Sequence, residues 1–148
     1  MANEKVLSES KLLTNIKKVN KANELGAAQL AFVGDAVYEM LVRGYIVENH
    51  DFNVHAAHKE AIKFVSAKAQ SALIRAIEPD LTDEERSAFK RGRNAKITTA
   101  PKNQDMIDYR MATGLESLFG YLYLKNREDR ILELFDEIVE KRKEIWEK

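Results

Sequence analysis

The chain has 148 residues, with 24 basic and 24 acidic side chains, no cysteine and a formal net charge of zero. This length corresponds to one domain that can bury a full hydrophobic core. The absence of cysteine excludes disulfides and thiolate metal sites and is typical of a reducing cytoplasm. No apolar run approaches the roughly 18 residues that cross a bilayer, so we expect a soluble, cytoplasmic protein with no membrane partner.

Apolar residues recur with helical spacing along nearly the whole chain, which predicts an all-α fold. Residues 1–23 are polar and rich in lysine, and we expect them to form an N-terminal extension before a domain at 24–148. The first helix is predicted from about Gly26 to Val47. Asn53 is a good N-cap, and a second helix is predicted from there to about Ile77.

Three further helices are predicted in the second half of the chain. Thr82 and Glu85 have the spacing of a capping box and begin a short helix that ends near residue 91. Residues 91–101 then form a loop, because glycine, asparagine and a pre-proline position all disfavour a continued helix. Long helices follow at about 103–124 and 127–146. The absence of an internal repeat or linker indicates a single helical bundle.

Basic side chains are concentrated in one segment of this neutral chain. Between Arg86 and Lys102 there are six basic residues and no acidic residue. Such local asymmetry is typical of a phosphate-binding surface, although an ordinary solvated loop has the same composition. The six residues are Arg86, Lys90, Arg91, Arg93, Lys96 and Lys102.

Two acids lie within otherwise apolar, glycine-containing helices. Asp35 interrupts the apolar run from Leu30 to Val42, and Glu116 repeats this pattern in the fourth helix. An ionised carboxylate is almost never fully buried unless it is paired or coordinates a metal. We therefore expect something to compensate the charge of Asp35.

Two kinds of partner can compensate these acids. Gly34, Gly114 and Gly120 would let the two helices approach closely, and two acids brought together favour a shared divalent cation such as Mg²⁺. The alternative is an ordinary ion pair, for which Arg43 or Arg110 is available. Spacing alone favours the ion pair.

Two segments resemble the signatures of the ribonuclease III endonuclease domain. These are Phe32–Val37, with its Gly-Asp pair, and Leu115–Leu124, with its glutamate. Arg91–Lys96, Pro101–Asn103 and Tyr109–Arg110 are similar to the compact bacterial members of that family, which consist of the catalytic domain alone. The resemblance covers about residues 24–145.

This resemblance implies an Mg²⁺-dependent endoribonuclease, with Mn²⁺ able to replace Mg²⁺, that cleaves double-stranded RNA as a homodimer. Asp35 and Glu116 would be the catalytic metal ligands, and Phe32 would lie at the dimer interface, unless it is a plain core residue. The family substrate is the precursor of large-subunit (23S) ribosomal RNA, with a ribosomal protein on the substrate as a further partner. We expect no double-stranded-RNA-binding domain, so RNA contacts would come from the basic segment, including Asn94.

The chain departs from the larger family members at two acids. Ala31 stands where they have glutamate, and Thr113 stands where they have aspartate. Glu39, Thr113 and Tyr109 are expected to line the site, and Glu39 would supply part of the missing charge. The absent acids leave one alternative open, a catalytically silent RNA-binding or ribosome-assembly scaffold. A third hypothesis is a helical interaction protein whose acids form simple salt bridges.

Overall fold

The computed structural model describes residues 25–49, 53–96 and 105–146, so the N-terminal extension and Lys102 lie outside the described residues. The prediction of an all-α fold is confirmed. The described residues contain six α-helices, a short 3-10 turn and no strand. The elements are α1 (Ala27–Asn49), α2 (Val54–Val65), α3 (Ala67–Ile77), the 3-10 turn Glu78–Asp80, α4 (Asp83–Arg93), α5 (Met106–Leu124) and α6 (Glu128–Trp146).

Helix α5 forms the centre of the bundle. It packs against α1, α3, α4 and α6, and most of its residues are buried. A helix that is apolar all round is expected in such a position, because every face meets another element. A signature placed on α5 is therefore held rigidly by four neighbouring helices.

The predicted second helix is in fact two helices. Ser66 has an extended backbone (ψ 152°) and is both the C-cap of α2 and the N-cap of α3, where its hydroxyl accepts a hydrogen bond from the N–H of Ala69. Serine competes for helix backbone hydrogen bonds, so it caps helices better than it continues them. The Asn53 cap is confirmed, with its side chain accepting from the N–H of Ala56 at 2.8 Å.

The capping box at the start of α4 is confirmed and is part of the core. The Thr82 hydroxyl accepts from the N–H of Glu85, and the Glu85 carboxylate accepts from the N–H of Thr82 at 2.9 Å. Glu85 is buried and also forms an ion pair with Arg130 of α6 at 2.8 Å. The helix continues to Arg93, slightly beyond the predicted end.

An aromatic cluster closes the core between α1, α2 and α6. Tyr38 packs edge-on against Phe119 and Phe135, and Phe64 stacks on Phe135. The buried Tyr38 hydroxyl donates to the Phe64 carbonyl at 2.9 Å, which satisfies its polar atom. None of the described helices has the length and apolar character needed to span a membrane.

Candidate active site

Helices α1 and α5 touch through their backbones at two glycines. A Cβ atom added to Gly34 would lie 1.6 Å from the carbonyl oxygen of Glu116, and one added to Gly120 would lie 1.9 Å from the carbonyl oxygen of Leu30. Only glycine, whose side chain is a hydrogen atom, permits the two helices to approach this closely at both positions. The contact places Asp35, which follows Gly34, beside Glu116, so the two predicted acids do come together.

The electrostatics of Glu116 show the consequence of that proximity. Burial raises the pKa of Glu116 to about 8, and the charge of Asp35 and a hydrogen bond with Asp35 act in the same direction. The charge of Glu39 adds to this effect, whereas a hydrogen bond from Gln70 opposes it. Without a cation, Glu116 therefore keeps its proton to a higher pH than an ordinary glutamate does.

The donor set of this pair fits a hard divalent cation. Mg²⁺ binds carboxylate oxygens and usually takes one or two of them, completing its shell with water and substrate phosphate. Within the described ranges, no group of three or more His, Cys, Asp or Glu side chains is arranged to hold a metal. The geometry therefore supports two carboxylates, those of Asp35 and Glu116, as the protein's direct ligands for a cation.

Asp35 is not enclosed by the apolar residues that surround it in the sequence. Its side chain is exposed, and Glu116 is the acid whose pKa burial raises. The apolar residues that precede and follow Asp35 lie on several sides of α1, and some of them, including Phe32, Ala36 and Met40, are themselves exposed. An apolar sequence around an acid therefore did not mean an apolar environment.

The two arginines that could have neutralised the acids have other partners. Arg43 pairs with Glu39 at 3.1 Å, one turn along the same helix. The Arg110 guanidinium lies 3.4 Å from the carbonyl oxygens of both Arg93 and Ala95. In the part of the chain that the structure describes, neither Asp35 nor Glu116 forms an ion pair with a basic side chain.

Of the residues predicted to line the site, Glu39, Thr113 and Tyr109, the structure links Glu39 to the acid pair. Glu39 is half-buried and acts on Glu116 through its charge. The Thr113 hydroxyl donates to the Tyr109 carbonyl at 3.0 Å, so it is engaged within its own helix. Of these three residues, Glu39 alone adds a carboxylate to the neighbourhood.

The C-terminal end of α4 brings the basic segment to the same region of α5. A Cβ on Gly92 would lie 2.5 Å from the Cβ of Ser117 and 2.8 Å from the carbonyl oxygen of Thr113. Thr113 and Ser117 flank Glu116 on α5. The C-terminal end of α4, which carries part of the basic segment, therefore packs against the turn of α5 that contains Glu116.

The basic residues of this segment differ in how free they are. Arg86 donates to the Glu78 carbonyl and Arg91 to the Leu25 carbonyl, both at 2.9 Å, so these two guanidinium groups hold the fold together. Arg93 lies over the Phe89 ring and donates to the Asn94 side chain at 3.1 Å. Lys90 and Lys96 are exposed.

Phe32 is one of the most exposed large apolar side chains among the described residues. It is 83% exposed, which makes the alternative of a plain core residue wrong. Met40 and Val47, at 54% and 66% exposed, continue the same apolar stripe along α1. This stripe runs on the helix that carries Asp35.

The sequence prediction missed Gln70, which is 3% exposed on α3 and hydrogen-bonds Glu116. The sequence does contain a signal for its burial. Gln70, Leu73, Ile74 and Ile77 have the spacing of one buried helical face, and a glutamine is out of place there. The predicted continuous helix hid this face, because Ser66 begins a new helix with its own phase.

Comparison with known proteins identifies the family. The model of the ribonuclease III domain family matches residues 28–127, which include nearly all of α1, all of α5 and both acids. The chain belongs to the ribonuclease III family and is thus an endoribonuclease.

Individual relatives refine this assignment. Mini-ribonuclease 3 of Clostridium tetani is 50% identical over 111 residues, covering 74% of each chain. Mini-ribonuclease 3 of Enterococcus faecalis is 44% identical over 127 residues, covering 84% of this chain and 96% of that protein. A crystal structure of a Fusobacterium nucleatum protein superposes with a TM-score of 0.73 at 30% identity, covering 82% of this chain and 97% of that one. Within the family, these relatives place the chain in the Mini-ribonuclease 3 group.

Proposed function

We propose that this protein is an Mg²⁺-dependent endoribonuclease that hydrolyses phosphodiesters in double-stranded RNA. The observation that carries the proposal is the backbone contact of α1 and α5 at Gly34, which brings Asp35 and Glu116 together beside the basic end of α4. A bound divalent cation would polarise the scissile phosphate and lower the pKa of the attacking water.

Asp35 and Glu116 would hold that cation from two different helices. Asp35 reaches it from the exposed side of α1, which leaves room for an RNA backbone. Glu116 would reach it from α5, where its side chain is half-buried. Glu39, one turn beyond Asp35, contributes negative charge that Ala31 and Thr113 lack.

The assay that tests this function compares a blunt RNA duplex with its separated strands, each with Mg²⁺ and with a chelator. Cleavage of the duplex in Mg²⁺ alone, leaving 5′-phosphate ends, supports the proposal. Duplex binding without cleavage would support the scaffold alternative instead. Neither binding nor cleavage would support the helical interaction protein.

RNA backbone contacts are proposed for the exposed end of α4 and the residues that follow it. A-form RNA is recognised largely through its phosphates and 2′-hydroxyls, and such contacts weaken with salt. Lys90 and Lys96 are the exposed lysines of the described basic segment, while Arg93 and Asn94 lie between them. Arg86, Arg91 and Lys102 complete the proposed surface, the first two through the field of their charge.

Replacing Lys90 and Lys96 together by glutamine should raise KM for duplex RNA and leave kcat nearly unchanged. Two lost phosphate contacts reduce the slope of log KM against log salt by about one to two, since each contact contributes roughly 0.7–0.9. Steady-state kinetics at several salt concentrations measure this slope. The control replaces Lys141 and Lys143 on α6, which changes net charge equally. Equal slopes for both double variants would rule out this surface.

A homodimer is proposed through the apolar stripe of α1. A stripe of exposed Phe32, Met40 and Val47 costs free energy in water, and a two-fold axis would bury it twice. The partner would cover the stripe next to Asp35 and place two acid pairs in one molecule.

The variant Phe32→Glu should therefore convert the protein to a monomer. Burying a phenylalanine contributes about 1.5–3 kcal/mol, so two copies lost from a symmetric interface weaken dimerisation by roughly a hundred-fold or more. Analytical ultracentrifugation across a dilution series measures this change. Leu132→Glu, at a 52% exposed position on α6, is the matched control. A Phe32→Glu dimer as stable as the control dimer would contradict the proposed interface.

The substrate proposed from the family is the precursor of 23S ribosomal RNA in the cytoplasm, with a ribosomal protein on that RNA as a further partner. The cysteine-free composition supports the compartment. Accumulation of unprocessed large-subunit precursor in cells that lack the protein tests the substrate directly.

A further inference from the structure

A buried glutamine lies next to the acid pair. Gln70 is 3% exposed in the first turn of α3, where its backbone N–H donates to the Ser66 carbonyl at 2.8 Å. The other residues of its helical face, Leu73, Ile74 and Ile77, are fully buried. A buried side-chain amide costs free energy unless it is hydrogen-bonded, so its partner shows why it is there.

The partner of the Gln70 side chain is the Glu116 carboxylate. Helix α3 packs against α5, and the amide hydrogen-bonds Glu116 across that contact. An ionised carboxylate only accepts hydrogen bonds, so the Gln70 Nε2 group is the donor. The nearby Tyr38 hydroxyl does not compete for this role, because it donates to the Phe64 carbonyl.

We propose that Gln70 is a positioning residue for Glu116: its amide holds one carboxylate oxygen and keeps the other directed towards Asp35 and the shared cation. A glutamate side chain has several rotatable bonds, and without a fixed donor its carboxylate samples several orientations. Groups that orient metal ligands in this way contribute substantially to metal affinity. The inference rests on the proposed metal-dependent function.

The need for such a group follows from the small number of acids. Two carboxylates come together at this site, and among the described residues no group of three or more His, Cys, Asp or Glu side chains is arranged to hold a metal. With two ligands, disorder in one of them removes half of the protein's contribution to the cation. Rotational restraint of Glu116 by the buried Gln70 side chain therefore matters more in a site with only two acids.

The test uses Gln70→Met, which keeps the length and buried volume of the side chain and removes the donor. A second variant, Gln70→Asn, keeps an amide that is too short to reach Glu116. Ser71→Ala is the matched control, since Ser71 is another buried polar residue of α3, at 2% exposed. Calorimetry with Mn²⁺ measures metal affinity, and cleavage of duplex RNA gives kcat and KM separately.

We expect both Gln70 variants to bind Mn²⁺ about 10- to 100-fold more weakly and to lose kcat by a similar factor, with KM for RNA unchanged. Ser71→Ala should retain the wild-type values. A purely structural role would instead lower the melting temperature in chelator and leave Mn²⁺ affinity unaltered. That result, or wild-type Mn²⁺ affinity in Gln70→Met, would overturn the proposal. Failure of the wild-type protein to cleave duplex RNA would refute the proposed function separately, while the Mn²⁺ affinities still decide the role of Gln70.

Discussion

Asp35→Asn and Glu116→Gln should each reduce RNA cleavage in Mg²⁺ by about a thousand-fold or more. Each change removes one of two carboxylates that hold the cation, and a metal at the reacting phosphate contributes several kcal/mol to transition-state stabilisation. Both substitutions preserve side-chain shape, so the fold is retained. Single-turnover kinetics on duplex RNA measure the loss, and binding measurements in Ca²⁺ or chelator should show that RNA is still bound.

Acids outside the site provide the controls for this experiment. Glu48→Gln on α1 and Asp108→Asn on α5 remove the same charge from the same helices and should leave the rate within a few-fold of wild type. Glu39→Gln should give an intermediate result, a higher Mg²⁺ requirement with much of the maximal rate retained. Full activity of Asp35→Asn or Glu116→Gln would remove that residue from the catalytic pair.

Gly34→Ala and Gly120→Ala should each destabilise the fold by about 4 kcal/mol or more, which is a large part of the total stability of a small domain. A methyl group at Gly34 would lie 1.6 Å from a backbone carbonyl oxygen, and one at Gly120 would lie 1.9 Å from another. Backbone atoms cannot rotate away as a side chain can, so α1 and α5 must separate. Urea denaturation followed by circular dichroism measures the effect.

Gly44 provides a matched control within α1. A Cβ at Gly44 meets nothing within 4 Å, so Gly44→Ala should stabilise the protein by roughly 0.5–1 kcal/mol through helix propensity. The two glycines of α1 are therefore expected to respond with opposite sign to the same substitution. Equal stability of Gly34→Ala and Gly44→Ala would show that the helices are not in backbone contact.

Local chemistry made much of the fold predictable from sequence. The Asn53 cap and the Thr82–Glu85 capping box depend on neighbouring residues only, and both are present as predicted. The helix at 127–146 was equally predictable from the sequence, since its apolar stripe is continuous. The proximity of Asp35 and Glu116 could be predicted because glycines beside them permit close packing of the two helices.

Tertiary context decided what the sequence could not show. The exposure of Asp35 depends on which face of α1 packs against α5. That face cannot be identified from the sequence, because apolar residues lie on several sides of the helix. The division at Ser66 and the burial of Gln70 have the same origin, because a helix phase is defined only once its beginning is known. Arg86 and Arg91 look like free charges in the sequence, but backbone carbonyls of other elements, those of Glu78 and Leu25, accept hydrogen bonds from them.

The most direct test of the central claim is a double-mutant cycle on metal affinity. Mn²⁺ binding is measured by calorimetry for the wild type, Asp35→Asn, Glu116→Gln and the double variant. If the two carboxylates hold one cation, each single change should abolish most of the affinity and the second change should add little. Independent, additive losses, or undiminished affinity in the double variant, would contradict a shared site.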